Sequence, residues 1–153
     1  MDSIFLDTFN GIETSRPPVW FMRQAGRILP SYQKLKRKYT FSDLMKNKKL
    51  ASEVTLLPIN DLGVDAAILF SDILVIPESL GLKLEFTDRG PKFHNPLNSI
   101  SNNEVFNFNP KKLEYVYNNI IETKRNIPLN IPLIGFCGGP LTTFLFMFRG
   151  NEN

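Results

Sequence analysis

The sequence predicts an α/β fold built on parallel strands, from three observations. Residues 19–22, 65–70 and 132–136 are short, almost continuously apolar runs, as expected of strands buried on both faces. Segments with helical apolar spacing separate them, the alternation that crossover helices impose on parallel strands. Each run also gives way to a polar or glycine-rich loop, and parallel α/β folds bind ligands at the carboxyl ends of their strands.

The elements follow in order. Ile4, Phe5, Leu6 and Phe9 fall on one side of a short helix over residues 1–12, which Gly11 ends. Pro17 and Pro18 start the extended run 19–22, and Pro30 bars a helix from crossing the loop behind it. Residues 32–38 read as helical, and 41–45 as a further turn with Ser42 as N-cap. Residues 50–62 carry helical spacing that Pro58 should kink or end. The run 65–70 is the clearest strand and stops at Ser71 and Asp72, after which residues 73–80 lead away towards Gly81. The stretch 82–110 is rich in Pro, Asn and Gly, with a short strand at 82–86 and an excursion around Gly90 and Pro91. Pro110 opens a helix to about Arg125, a position that needs no intrahelical N–H. The third strand runs into Cys137, Gly138, Gly139 and Pro140, and a last helix covers 141–149.

At 153 residues, 42% hydrophobic and 22% charged, the chain has the composition of one globular domain and not of a disordered segment. No apolar run approaches the roughly 18–20 residues of a membrane helix, and the first thirty residues lack the pattern of a signal peptide. One cysteine and one histidine cannot close a four-ligand zinc site. A cytoplasmic protein without a structural metal is expected. The net charge of +3 is concentrated at Lys34, Lys36, Arg37 and Lys38. Without any nucleic-acid motif, that run reads as a solvated helix face, and neither nucleic acid nor membrane is an expected partner.

Chemistry concentrates after the strands. Arg23 and Arg27 flank the small-residue turn Gln24, Ala25, Gly26, where two guanidinium forks match carboxylates or phosphates. The same arginines could instead bond helix ends or surface carboxylates. Asp72 follows a buried strand, where a carboxylate is costly unless donors surround it; it is either a site residue or the cap of the next helix. Asp65 and Glu78 read as solvated or capping residues. The turn from Gly135 to Pro140 lacks a P-loop's lysine, so it serves close backbone approach to something flat, or only a tight turn. Cys137 reads as a buried small hydrophobe and His94 as a surface residue.

The block from Pro18 to Arg27 (Pro-Val-Trp-Phe-Met-Arg-Gln-Ala-Gly-Arg) closely resembles the first signature of the uroporphyrinogen decarboxylase family. Asp65 to Val75 is similar to that family's second block, and Pro132 to Pro140 to its third, in the family's order and spacing. The resemblance implies an eight-stranded (β/α) barrel, a TIM barrel, of which residues 1–153 form a single partial domain with about three strands. It implies a cytoplasmic homodimer that removes the acetate carboxyls of a polycarboxylate tetrapyrrole, uroporphyrinogen, as CO2 without metal or organic cofactor. By motif position, Arg23 and Arg27 bind substrate carboxylates, and Gln24, Ala25 and Gly26 line the site. Asp72 accepts pyrrole N–H groups and stabilises positive charge on the ring; Arg23 is a candidate proton donor, against which its very high pKa stands.

The chain departs from the family pattern in places. Phe146 occupies the position of the family's usual substrate-contacting tyrosine, Ile28 replaces a common tyrosine, and Leu141 stands where an aromatic is frequent. The leading expectation is the amino-terminal part of a decarboxylase. The alternative is a truncated or degenerate, inactive remnant; on either reading residues 1–153 alone are expected to fold poorly and not to decarboxylate. A related barrel methyltransferase using corrinoid and zinc is disfavoured by the arginine block.

Overall fold

Side-chain caps fix where some of the helices of this chain begin. In the computed structural model, which describes residues 3–21, 28–87, 90–99 and 106–150, the elements in chain order are α1 (Ile4–Phe9), α2 (Pro30–Lys36), α3 (Phe41–Lys46), α4 (Lys48–Leu62), β1 (Ala67–Ile68), α5 (Val75–Ser79), β2 (Leu84–Thr87), β3 (Gly90–Phe93), α6 (Glu114–Asn126), β4 (Leu133–Ile134) and α7 (Pro140–Arg149). Short 3-10 turns occupy Leu97–Ser99 and Pro110–Leu113. They divide into two compact units, Met1–Phe70 with Val116–Phe136 and Ser71–Tyr115 with Cys137–Asn153.

In the first unit, Ser3 caps α1 by accepting the Leu6 N–H. The cap of α3 is Thr40, not the expected Ser42. Its hydroxyl accepts the Asp43 N–H at 3.1 Å while the Asp43 carboxylate accepts the Thr40 N–H at 3.0 Å, a capping box that needs the extended backbone Thr40 adopts. Asn47 caps α4 through bonds from the Lys49 and Leu50 N–H groups, and Gly63 ends it with φ +67°. Of the two outcomes expected at Pro58, a kink or an end, the end does not occur: α4 continues through it. Burial of Ala51, Val54 and Leu57 on one face, with a Gly63 N–H bond to the Ile59 carbonyl at 3.0 Å, secures the turns on either side.

β1 and β4 pair in parallel, Ala67 with Leu133 and Ile68 with Ile134. Bonds from Ala67 N–H to Pro132 and from Leu69 N–H to Ile134, both 3.0 Å, extend the pairing beyond the two-residue strands. The parallel reading therefore holds for two of the three expected runs. The described part of the other, Val19–Phe21, is not a regular strand, and Met22 lies outside the described residues. Its Val19 carbonyl accepts the Asp65 N–H at 2.9 Å, but the Val19 N–H turns to the Asp65 side chain instead of a neighbouring strand. Val19 and Phe21 are 39% and 52% exposed, not buried on both faces. The core beneath holds Leu44, Met45, Ala51, Val54, Ala66 and Ala67, with Phe41 set edge-on to Phe70. Asn119, buried on α6, donates to the Met45 carbonyl at 2.7 Å and so closes the end of α3.

In the second unit, residues 73–80, expected to lead away towards Gly81, contain α5. The strand expected at 82–86 is β2, and it pairs antiparallel with β3, an element the sequence reading missed. Leu74, Leu82, Phe93 and Met147 form the core, with Ile73, Leu80, Leu84, Leu97 and Phe146 packed against it. The Gly150 carbonyl accepts the Phe93 N–H at 2.6 Å, joining the end of α7 to the hairpin.

Candidate functional site

Arg23, Gln24, Ala25, Gly26 and Arg27 lie outside the described residues. The approach to them is described, and its anchor is Asp65. Both carboxylate oxygens meet the Arg16 guanidinium, at 2.6 and 2.8 Å, and Oδ2 also accepts the Val19 N–H at 2.7 Å. Asp65 is 7% exposed, so the expectation of a solvated or capping residue is corrected. Its hydrogen bond with Arg16 holds the carboxyl below its ordinary value of 3.8, against the opposing effect of burial and with help from the Val19 N–H. The neighbouring strand end is also fixed, because the buried Thr55 hydroxyl accepts the Phe70 N–H at 2.9 Å and donates to the Ala51 carbonyl at 2.7 Å.

Asp72 is half-buried in the second unit, four positions after the end of β1. Its Oδ1 accepts the Leu74 N–H at 2.8 Å, an Asx-turn that leads into α5. That bond fits the capping reading, and it also locks the carboxylate in one orientation. Glu78 of α5 and Tyr115 of α6 belong to the same cluster. The Tyr115 hydroxyl is buried, and its pKa is raised first by burial and then by the charges of Glu78 and Asp72. From the adjoining turn, Lys112 Nζ donates to the Glu78 carbonyl at 3.2 Å. Glu78 is thus half-buried and engaged, not merely solvated.

The third block meets this cluster through Gly138. A Cβ there would stand 2.3 Å from Thr143 Oγ1 and 3.1 Å from Ile73 Cβ, so glycine is what allows the loop to lie against the residue after Asp72. Cys137 is exposed, not buried, because the β4 ladder ends at Ile134 and leaves it on the loop. Phe146 is half-buried against the core that includes Leu74, whose N–H holds Asp72. On the other side of α7, Leu141, Phe144, Leu145 and Phe148 are exposed, with the two phenylalanine rings stacked at 5.9 Å.

The remaining surface features are separate from these residues. Lys34, Lys36, Arg37 and Lys38 are exposed, as a solvated face requires. Tyr39, Ser42, Asp43, Lys46, Asn47 and Leu50 line an open cavity of about 420 Å³ in the first unit. His94 is on the surface with Glu85 at 2.7 Å. Among the described residues, no three His, Cys, Asp or Glu side chains are grouped to hold a metal ion, and no helix is long and apolar enough to cross a membrane. Asp65, Thr55 and Tyr115 were not singled out by sequence as parts of the site's support. Their partners are distant in the chain, and only the apolar run beside Asp65 and Thr55 hinted at burial.

The family profile described as uroporphyrinogen decarboxylase (URO-D) matches residues 2–153. A curated protein of Thermodesulfovibrio yellowstonii named uroporphyrinogen decarboxylase is 45% identical over 99% of this chain and 45% of its own length. Proteins of the same name from Helicobacter pylori and Geobacter metallireducens are 46% and 45% identical, over 96% and 98% of this chain and 44% of their own lengths. The chain spans about half the length of these relatives and corresponds to their amino-terminal part.

Proposed function

The chain belongs to the uroporphyrinogen decarboxylase family, and on that premise we propose that it supplies the amino-terminal part of a uroporphyrinogen decarboxylase. The reaction is cofactor-independent loss of the four acetate carboxyls of uroporphyrinogen III, giving coproporphyrinogen III. The observation that carries this reading is the 45% identity over 99% of the chain, which also leaves the degenerate alternative without support. β1 and β4 are then neighbouring strands of a (β/α)8 barrel in a cytoplasmic homodimer, with residues 1–153 one partial domain.

The chemistry accounts for the residue types. Loss of CO2 leaves an electron pair on the former acetate carbon, and a protonated pyrrole is the sink for it. Asp72 accepts the pyrrole N–H and stabilises the positive ring; its Oδ1 bond to Leu74 supports a fixed direction of approach. A charge pair at 4 Å with water excluded is worth ~4 kcal/mol at an effective dielectric near 20. That amounts to about three powers of ten in rate when confined to the transition state. Arg23 and Arg27 hold substrate carboxylates, the backbone of Gln24, Ala25 and Gly26 lines the same loop, and Phe146 offers an apolar contact where relatives of this family resemblance use a hydroxyl.

The test joins the chain to the carboxy-terminal part of a relative, incubates the completed protein anaerobically with uroporphyrinogen III and separates the oxidised products by carboxyl number. Products with seven to four carboxyls, lost with Asp72→Asn while binding persists, are expected. Absence of tetrapyrrole binding and turnover overturns the reading, and undiminished turnover of Asp72→Asn removes charge stabilisation as the role of Asp72.

A further inference from the structure

We infer that the basic residues between Lys34 and Lys49 form an electrostatic collecting surface for the polycarboxylate substrate, drawing it to the carboxyl end of β1 through their field and not by contact. The inference deepens the decarboxylase reading and rests on it.

Charge is unevenly distributed along this chain. Lys34, Lys36, Arg37, Lys38, Lys46, Lys48 and Lys49 fall in a stretch that holds one acid, Asp43. The stretch therefore carries a net +6, and the rest of a chain whose total is +3 carries −3. All seven cations are exposed. The Asp43 carboxylate is turned to the Thr40 N–H at 3.0 Å and to the Thr40 hydroxyl at 2.6 Å, as part of the α3 cap. Among the described residues, ion pairs engage Arg16 and Arg125 but none of Lys34, Lys36, Arg37, Lys38, Lys48 or Lys49.

Within the first unit, the fold holds this stretch at the carboxyl end of β1. Phe70 follows β1, and its ring meets Tyr32 at 6.1 Å and Phe41 at 5.4 Å, so the segment holding Lys34 to Lys38 is pinned on both sides to the strand end. The Phe70 N–H also donates to Thr55 of α4 at 2.9 Å. Because α4 ends at Leu62, just before the chain enters β1, its start projects past the strand's carboxyl end. Lys48 and Lys49 stand about 10 Å of helix beyond Thr55. That is about one screening length in 0.1 M salt, so their field reaches the end where such folds bind ligands.

Folding does not account for Lys48 and Lys49. They open α4, where the helix dipole disfavours positive charge, whereas Lys34 and Lys36 sit in the last turn of α2, where it is favoured. Attraction grows with ligand charge. An octacarboxylate is therefore captured faster than the tetracarboxylate product, which is the species most readily released.

The experiment uses the chain joined to the carboxy-terminal part of a relative and measures association of uroporphyrin III, the fluorescent oxidised octacarboxylate, by stopped flow. Lys48→Gln/Lys49→Gln should slow association about threefold or more in dilute salt, and adding Lys36→Gln/Arg37→Gln/Lys38→Gln should extend this to about tenfold or more. Dissociation should change far less. The differences should vanish in about 0.5 M salt, and coproporphyrin III should show a shallower salt dependence. Lys124→Gln/Arg125→Gln removes two exposed cations from the end of α6 that leads into β4, the amino end of that strand, and should leave the rate unchanged. Equal association of wild type and Lys48→Gln/Lys49→Gln in dilute salt, or an equal loss in the α6 variant, overturns the proposal. Seen in a protein that turns over uroporphyrinogen III, that result leaves the decarboxylase reading intact; absence of porphyrin binding and turnover in the unsubstituted protein overturns both.

Discussion

Asp65→Ala is the substitution whose cost the structure defines best. It removes the acceptor of the Val19 N–H, at 2.7 Å, and both partners of the Arg16 fork. The Arg16 side chain is 52% exposed, so water replaces most of what it loses and no stabilisation is assigned to that part. The bond from Val19 goes to a buried charged acceptor, and such bonds contribute ~1.5–3 kcal/mol. For a chain of this size that corresponds to a melting point lower by about 3–12 °C. Asp65→Asn retains an acceptor for Val19 and should lose less than half as much. The pH dependence has a defined sign. The folded carboxyl titrates below its ordinary 3.8, so its stabilisation is complete above that value and disappears as pH falls through the lower folded pKa. Melting curves of wild type and Asp65→Ala should thus run apart at pH 6–7 and converge only below about pH 4. A melting point for Asp65→Ala within a degree of wild type at pH 7, or a gap that persists in acid, refutes the reasoning.

Thr55→Val keeps the shape of the side chain but strands the Phe70 N–H; a loss of ~1–3 kcal/mol in urea denaturation, with faster hydrogen exchange at Phe70, is expected. Gly138→Ala places a methyl group 3.1 Å from Ile73 Cβ and forces Thr143 to rotate. A cost of ~1–3 kcal/mol and shifted amide resonances at Ile73 should follow, and an unperturbed Ile73 would show that the loop moves aside instead. Arg27→Ala should weaken binding of an octacarboxylate tetrapyrrole by about tenfold or more with the melting point unchanged; equal affinity would make Arg27 structural.

Legibility followed the range of each interaction. The helices α1, α4 and α6 were readable because apolar spacing, Gly11 and the proline at 110 are local signals, and α7 was placed to within one residue of its start. The cap of α3 was misplaced by two residues because Thr40 and Ser42 are both good caps, and only the Asp43 carboxylate three positions after Thr40 separates them. Pro58 does not end α4 because tertiary burial outweighs one missing hydrogen bond. β3 was invisible: Gly90, Pro91 and Lys92 have no strand propensity, and the strand exists through its pairing with β2. The blocks holding Arg23, Arg27 and Asp72 were legible by resemblance, whereas Asp65 and Tyr115 gain their meaning from Arg16, Glu78 and Asp72, which no local pattern connects to them.

The register of the parallel pair has a consequence for how the chain acquires its fold. Ala67 is paired with Leu133, 66 positions further on, so closing that loop costs about 4 kcal/mol of chain entropy before the pairing returns anything. The β2–β3 hairpin closes directly at Thr87 and Gly90, and the Thr55–Phe70 bond spans only fifteen residues. Local elements should therefore form first and the β1–β4 ladder last. Substitutions at Ile68 or Ile134 should then accelerate unfolding more than they slow folding, whereas those at Phe86 or Phe93 should act on the folding rate. All of residues 71–115 lie inside the closing loop, so completion of the first unit waits on the return of a chain that has already passed through the second.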